Sequence, residues 1–252
     1  MIPAVAPDLT GRVALVTGAA RGLGRAAAAR LYEHGASVAV NVRDPERAAA
    51  AAASLGERAL AVAGDVAAAT APDAMVQRVL DRFGRLDILV NNAALARSTR
   101  FPELTADEWR ATLDVNLTAP FLLIRAALPA MKAQRFGRVI NVSSSAGRMV
   151  STLGGAHYTA SKAGLLGLTR AAAKELGVFG ITVNAICPGM IDTELTHEHA
   201  APELLERLAQ GYPIPRLGTA AEVADLICFV ASERAGYITG ASFDINGGDL
   251  MM

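Results

Sequence analysis

Tyr158 and Lys162 stand four residues apart at the end of the stretch 141–162, N-V-S-S-S-A-G-R-M-V-S-T-L-G-G-A-H-Y-T-A-S-K. On a helix that spacing puts both side chains on one face. A phenol titrates near pKa ~10 and is a poor acid or base at neutral pH. A lysine cation a few ångströms away favours the phenolate and lowers that value. So paired, a tyrosine can give a proton to a carbonyl oxygen or take one from an alcohol. A hydroxyl at the preceding strand end, Ser144, is placed to hold the same oxygen. By itself Y-x-x-x-K also describes many solvated helix faces, so its meaning depends on the elements around it.

Those elements alternate. Short β-branched runs predict strands at 13–17, 37–42, 60–64, 88–91, 138–142, 182–186 and 242–245. Ala/Leu-rich stretches between them predict helices at 23–34, 45–55, 71–83, 106–133, 158–178, 202–209 and 220–231. Strands that are apolar throughout and joined by helical crossovers imply a parallel sheet covered on both faces. Right-handed crossovers then lead to an α/β, Rossmann-type doubly wound sheet of about seven strands. No linker or repeat divides residues 1–252, which predicts one domain.

The first predicted strand runs into T-G-A-A-R-G-L-G, residues 17–24. Gly18, Gly22 and Gly24 permit a tight turn and a close approach of backbone to phosphate, and the helix that follows offers free N–H groups. The spacing is G-x-x-x-G-x-G, and its place between a strand and a helix gives it weight.

With these residues in order, the chain resembles the short-chain dehydrogenase/reductase family over essentially its full length. The family's glycine motif matches Gly18, Gly22 and Gly24, with Arg21 and Leu23 between them. Its adenine-contacting Asp matches Asp65, followed by Val66. Its N-N-A-G appears as Asn91, Asn92, Ala93 and Ala94, with alanine for the last glycine. Asn116 in D-V-N-L matches an Asn that holds a water linking the active-site lysine to solvent. The pattern N-x-S-S-x-x-G, read from Asn141 and Gly147, selects Ser144; the interval to Tyr158 is a residue longer than usual, so Ser145 stays a second candidate. Pro188 and Gly189 match the family's P-G loop, with Ile191 and Thr193 at the nicotinamide carboxamide.

The resemblance implies reversible hydride transfer between a nicotinamide cofactor and a carbonyl or secondary alcohol. Tyr158 would be the acid or base, Lys162 would lower its pKa and bind the nicotinamide ribose, and Ser144 would position the reacting oxygen. Asn116 would complete the proton relay. Residues 194–212 would form the substrate lid, and Ser145, Met149, His157 and Met190 would lie near substrate, His157 being either a contact or a packed imidazole. NAD-dependent relatives carry an Asp at the end of the second strand; here the position is Val42, followed by Arg43. A guanidinium binds phosphate bidentately, so Arg43 and Arg21 imply preference for NADP(H), with NAD(H) tolerated; alternatively Arg43 pairs with Asp44 or Glu46.

The substrate class stays open. R-F-G-R-V-I resembles reductases of 3-oxoacyl chains on acyl carrier protein, whose docking surface uses two basic positions. Arg135 matches one, but Phe179 stands at the other, which raises a sugar, polyol or other small-alcohol substrate. A nicotinamide-binding protein without catalysis is the reading from another class, and intact Ser144, Tyr158, Lys162 and Asn116 argue against it. The small residues Ala160, Gly164, Gly167 and Ala171 either pack on the chain's own core or face a second copy; the resemblance favours a homotetramer or homodimer.

Composition bounds the rest. Among 252 residues, Lys+Arg and Asp+Glu both number 24, so no net field draws the chain to nucleic acid or acidic membranes. No uncharged apolar run reaches the ~18 residues of a membrane span. The N-terminal residues 1–8 lack the basic and apolar regions of a signal peptide. Cys187 and Cys228 sit in apolar segments and read as buried free thiols of a reducing cytoplasm. His197, Glu198 and His199 read as a solvated loop; no further ligand is placed to make a metal site.

Overall fold

Parallel strands whose crossovers lie on both faces must bury both sets of side chains, and the pattern holds strand by strand. The computed structural model describes residues 7–251. The strands are β1 (Val13–Thr17), β2 (Ser37–Val42), β3 (Ala59–Ala63), β4 (Ile88–Asn91), β5 (Gly137–Val142), β6 (Ile181–Pro188), the two-residue β7 (Ile191–Asp192) and β8 (Gly218–Thr219), and β9 (Ser242–Ile245). The helices are α1 (Gly22–Glu33), α2 (Pro45–Leu55), α3 (Ala71–Phe83), α4 (Ala106–Leu113), α5 (Ala119–Gln134), α6 (Ala156–Leu176), α7 (Glu194–His199), α8 (Pro202–Ala209) and α9 (Ala220–Ala231). Seven strands form one parallel sheet in the order β3-β2-β1-β4-β5-β6-β9, while β7 and β8 pair with each other.

Alternation along each strand sorts the core into two layers. Ala14 and Val16 of β1, Ile88 and Val90 of β4 and Ile140 of β5 pack towards α1 and α9 through Leu31, Val223 and Ile227. Leu15, Leu89, Val139 and Val183 point to the other face, against Val79 of α3 and Leu123 and Met131 of α5. Register is parallel throughout, with Val16 opposite Val40 and Val90, and Asn91 opposite Asn141.

The predicted strands stand within a residue or two of their observed ends. The predicted helix 106–133 is continuous but contains a π turn at Asp114–Thr118 between α4 and α5. The catalytic-helix candidate α6 begins at Ala156, earlier than expected, with Gly155 as its N-cap. The two-residue strands β7 and β8 carry no pattern long enough to read from sequence. Helix 106–134 is long and apolar enough to cross a membrane by length and composition. Its charged residues Asp114, Arg125 and Lys132 interrupt any uncharged run, and its Ala119, Leu123, Ala127 and Met131 are buried in the core. The reading of the N-terminal segment falls largely on residues 1–6, outside the described residues.

All seven strands end on one edge of the sheet. Chain order reverses between β1, which leads outward to β2 and β3, and β4, which leads outward to β5 and β6. The crevice at such a switch point is where open α/β sheets bind ligands, and the loops after β1, β4, β5 and β6 converge there.

Candidate active site

β5 and α6 are clipped together where the strand ends. Ser143 Oγ donates to the Lys162 carbonyl at 3.0 Å, and a Cβ on Gly147 would lie only 2.8 Å from that same oxygen. The intervening residues form a single 3-10 turn, Ser145–Gly147, capped by Ser144, whose Oγ accepts from Ala146 N at 3.1 Å. This turn presents the Ser144 hydroxyl to the Tyr158 hydroxyl, and the two are hydrogen-bonded. Ser143 is thereby a structural clip. Ser144 and Ser145 both line a cavity of about 120 Å³ in front of Tyr158, and Ser144 is the one bonded to the phenol.

Lys162 is buried and donates from Nζ to the Val142 carbonyl at 2.7 Å. Its ammonium stands 5.7 Å from the centre of the Tyr158 ring. The expectation that this cation lowers the Tyr158 pKa is corrected: the phenol is raised above its ordinary value because burial outweighs the hydrogen bond from Ser144. Desolvation also pulls Lys162 down to about 8. An unfolded lysine titrates near pKa ~10.4. Between those values the folded chain binds fewer protons than the unfolded one, so the stability contributed by this group rises with pH. Lys162→Met removes the contribution. Chemical denaturation should show wild type gaining ~2 kcal/mol on the variant between pH ~8 and ~10.4. A difference that stays flat across that window would contradict a buried, depressed lysine.

Asn116 lies in the π turn and is buried. Its Nδ2 donates to Leu95 O at 2.9 Å and to Ser161 Oγ at 3.0 Å, while its Oδ1 accepts from Leu95 N at 2.8 Å. The side chain thus ties the loop after β4 to α6, and both amide protons are engaged. The residue four positions on is Pro120, which has no N–H, so the Asn116 carbonyl lacks its usual α-helical partner.

The glycine loop fits a dinucleotide phosphate in shape and polarity. Gly18 and Gly22 have φ of +65° and +52°. A Cβ on Gly18 would lie 2.9 Å from Ala93 Cα, and one on Gly24 would lie 2.4 Å from Gly18 O. Asn92 Nδ2 donates to Thr17 O at 2.9 Å and to Gly18 O at 3.2 Å, fixing the loop. Thr17 Oγ1 accepts from the N–H groups of both Asn92 and Ala93 at 3.0 Å. Thr17 was not among the expected site residues, although its place at the end of β1, just before Gly18, is a readable signal. Helix α1 begins without a side-chain cap or an acidic residue in its first turn, so its N-terminal N–H groups stay available to an anion.

The remaining expected cofactor residues divide. Ala94 follows Ala93 in the loop after β4, whereas Leu23 packs into the core, leaving its backbone for the site. Asp65 accepts from Ala67 N at 3.0 Å through one oxygen, and Val66 is buried. Pro188 ends β6, and Gly189 donates its N–H to Ile245 O at 3.0 Å, where a Cβ would lie 2.8 Å from Asn246 Cα. Ile191 is buried in β7, and Thr193 caps α7 beside Gly22. Arg43 is exposed and makes no ion pair among the described residues; Asp44 instead accepts from Arg47 N at 2.8 Å as the cap of α2. Arg21 departs from its expected free state. Glu198 of α7 holds it with both carboxylate oxygens, the longer contact being 3.0 Å, because α7 is packed beside Gly22.

The cavity before Tyr158 is walled by Val150, Leu153, Met190 and Leu195, with His199 and Asp249 also lining it. Leu195 and His199 come from α7, at the start of the predicted lid. Met190 lies where expected, but Met149 is not a lining residue. His157 is fully buried, 3.4 Å from Glu108 Oε1, which in turn accepts from Thr99 Oγ1 at 2.6 Å. Successive helical residues diverge by about 100°, so a Tyr158 that faces the cavity turns His157 into the packing with α4. Of the two readings of His157, a substrate contact or a packed imidazole, the structure has the packed one. His197 Nε2 lies 2.7 Å from Asp192 Oδ1, and no cluster of three metal-ligating side chains occurs among the described residues. Leu195, His199 and Asp249 were absent from the expected site because only the folding of distant segments brings them to Ser144.

Comparison with known proteins places this geometry in context. The family model described as Enoyl-(Acyl carrier protein) reductase matches residues 18–249. A Synechocystis protein named 3-oxoacyl-(acyl-carrier-protein) reductase is 42% identical over 248 residues, covering 96% of this chain and 98% of that protein. A Staphylococcus aureus protein of the same name is 41% identical, covering 94% and 98%. A crystal structure of a putative gluconate dehydrogenase from Agrobacterium tumefaciens superposes with a TM-score of 0.90 at 34% identity, covering 97% of this chain and 98% of that one.

Proposed function

The chain belongs to the short-chain dehydrogenase/reductase family of oxidoreductases, and we propose that it reduces a 3-oxoacyl group or related ketone to the secondary alcohol with NADP(H). The observation that carries this reading is the Ser144–Tyr158 hydroxyl pair on the cavity wall with Lys162 behind it. Ser144 holds the reacting oxygen, and Tyr158 delivers its proton. The cofactor supplies the hydride. Lys162 orients the nicotinamide ribose, and the Asn116 carbonyl holds the water that returns the proton from solvent. Preorganised donors of this kind act at the developing oxyanion without reorganisation cost.

Two observations favour a 3-oxoacyl substrate on a carrier. The Synechocystis and Staphylococcus aureus relatives are both named for that reaction. On the surface, Arg135 is exposed, and Lys132 Nζ stands 4.2 Å over the Phe179 ring. A cation therefore covers the position at which phenylalanine replaces the expected basic residue. The second reading, a sugar or polyol dehydrogenase, draws on the gluconate-related structure and the small cavity. NADPH oxidation with acetoacetyl thioesters of carrier protein, small neutral ketones and sugar ketones tests the choice. Reduction of the sugar ketones alone would overturn the acyl reading.

The same reading includes a homodimer or homotetramer. Gly164 packs on Leu117 of its own chain, whereas Gly167 has nothing within 4 Å of a Cβ and Ala171 is exposed. Phe121 and Trp109, on the neighbouring helices, are also exposed. Gly167→Arg should therefore shift the protein towards monomer in light scattering while the chain still folds, since glycine within a helix costs ~1 kcal/mol relative to other residues. A wild type that is already monomeric at micromolar concentration would remove this part of the reading. Cys187 and Cys228 are both free and buried, which supports a cytoplasmic setting.

A further inference from the structure

We propose that Asp249 sets the substrate class: the cavity accepts uncharged ketones that bring an N–H or O–H donor near the reacting carbonyl, and it turns away ketones that carry a carboxylate. The inference rests on the oxidoreductase reading above and specifies its substrate.

Asp249 lines the same cavity as Ser144 and Tyr158. The turn that carries it is built. Asn246 Nδ2 donates to Leu250 O at 2.9 Å, Asn246 Oδ1 accepts from Gly248 N at 2.9 Å, and Asp249 N donates to Asn246 O at 3.1 Å. Gly247 and Gly248 adopt φ of +65° and +86°, conformations that other residues rarely hold. A Cβ on Gly248 would lie 2.7 Å from Pro213 Cγ, and Ile214 N donates to Gly247 O at 3.0 Å, so the turn is locked against the residues that directly follow the predicted lid.

The carboxylate so placed makes no hydrogen bond or ion pair among the described residues. No lysine or arginine lines the cavity; Lys162 is not a lining residue and donates to Val142 O. The titratable neighbours are His199 of α7, which shares the lining, and Tyr212, whose phenol is pushed up by burial and then by Asp249. Burial also raises the Asp249 carboxyl above its ordinary value. An unpaired carboxylate partly withdrawn from water lacks a donor, and a substrate amide or hydroxyl provides one. A substrate carboxylate there meets like charge with no cation to offset it. A thioester arm with amide groups meets the first description, and a sugar acid meets the second.

Three compounds that share an acetoacetyl group provide the test. The N-acetylcysteamine thioester carries an amide N–H, ethyl acetoacetate is neutral without a donor, and acetoacetate is an anion. Each is assayed with wild type, Asp249→Asn and Asp249→Ala, and kcat/KM is expressed relative to ethyl acetoacetate for the same protein, which cancels intrinsic reactivity. Asp249→Asn should raise the relative value for acetoacetate about tenfold, the scale of removing one like charge at a partly exposed site. Asp249→Ala should lower the relative value for the thioester about threefold to tenfold by deleting the acceptor. Relative values that do not move in either variant overturn the assignment. Calorimetric titration of the three compounds into enzyme with NADP+ gives affinities without turnover. If none is reduced but the Asp249→Asn affinities shift as stated, the selectivity assignment stands and the reductase reading falls. Reduction of all three with unmoved ratios gives the reverse, and neither binding nor reduction overturns both.

Discussion

Replacing Tyr158 by phenylalanine is expected to lower turnover by at least ~10²-fold, and by as much as ~10⁴-fold, while leaving cofactor affinity nearly unchanged. The substitution removes one hydroxyl from the cavity wall and keeps the ring against α6. What disappears is the proton donor and the hydrogen bond to Ser144. Burial holds the Tyr158 pKa above its ordinary value, so at neutral pH the phenol is protonated and set up to donate in the reductive direction. Lys162 then acts chiefly by position, its ammonium fixed on Val142 O. Ser144→Ala should cost less than Tyr158→Phe, because Tyr158 still supplies the proton when only one of two hydrogen bonds to the reacting oxygen is lost. Single-turnover rates with a reducible ketone, together with cofactor titration by fluorescence, check both. A Tyr158→Phe enzyme that keeps most of its turnover would refute the assignment.

Cofactor choice should respond nearly as strongly. Wild type is expected to favour NADPH over NADH in kcat/KM, and Val42→Asp combined with Arg43→Ala to reverse the order. Arg43 is exposed beside the end of β2 with no carboxylate engaged, so its guanidinium is free to meet a phosphate. A charge-assisted contact is worth ~1.5–3 kcal/mol, about tenfold to a hundredfold in affinity. Val42 is buried at the strand end, and an Asp there would offer the ribose hydroxyls a carboxylate while repelling a 2′-phosphate. Glu198 adds a term invisible in the sequence: it holds Arg21. Glu198→Gln should therefore strengthen NADPH binding and leave NADH binding unmoved, measured by equilibrium titration of each cofactor. NADH preferred by wild type, or a double variant that keeps its NADPH preference, would show that these residues do not set the choice.

Most of the frame was legible in the residues. Strands such as Val13–Thr17 and Ile88–Asn91 are short, apolar and bounded by glycine or polar turns, so their positions follow from local pattern, and parallel pairing follows from the helices between them. The Tyr158–Lys162 pair and Ser144 were legible for the same reason. Helical periodicity and one tight turn after β5 suffice to bring them together, and both are short-range effects. Tertiary structure decided the matters that turn on burial and on contacts between distant segments. Tyr158 is adjacent in sequence to His157, yet only packing against Glu108 shows which of the two faces the cavity. The lysine–tyrosine spacing suggested a depressed phenol, but burial outweighs the hydrogen bond from Ser144 and raises it. Arg21 looked free until α7 brought Glu198 to it, and Asp249 carried no signal until the Asn246 turn set it in the cavity. Periodicity reports which face of an element is buried. Desolvation and the pairing of charges depend on which elements meet across the fold, and that is written in no local stretch of the chain.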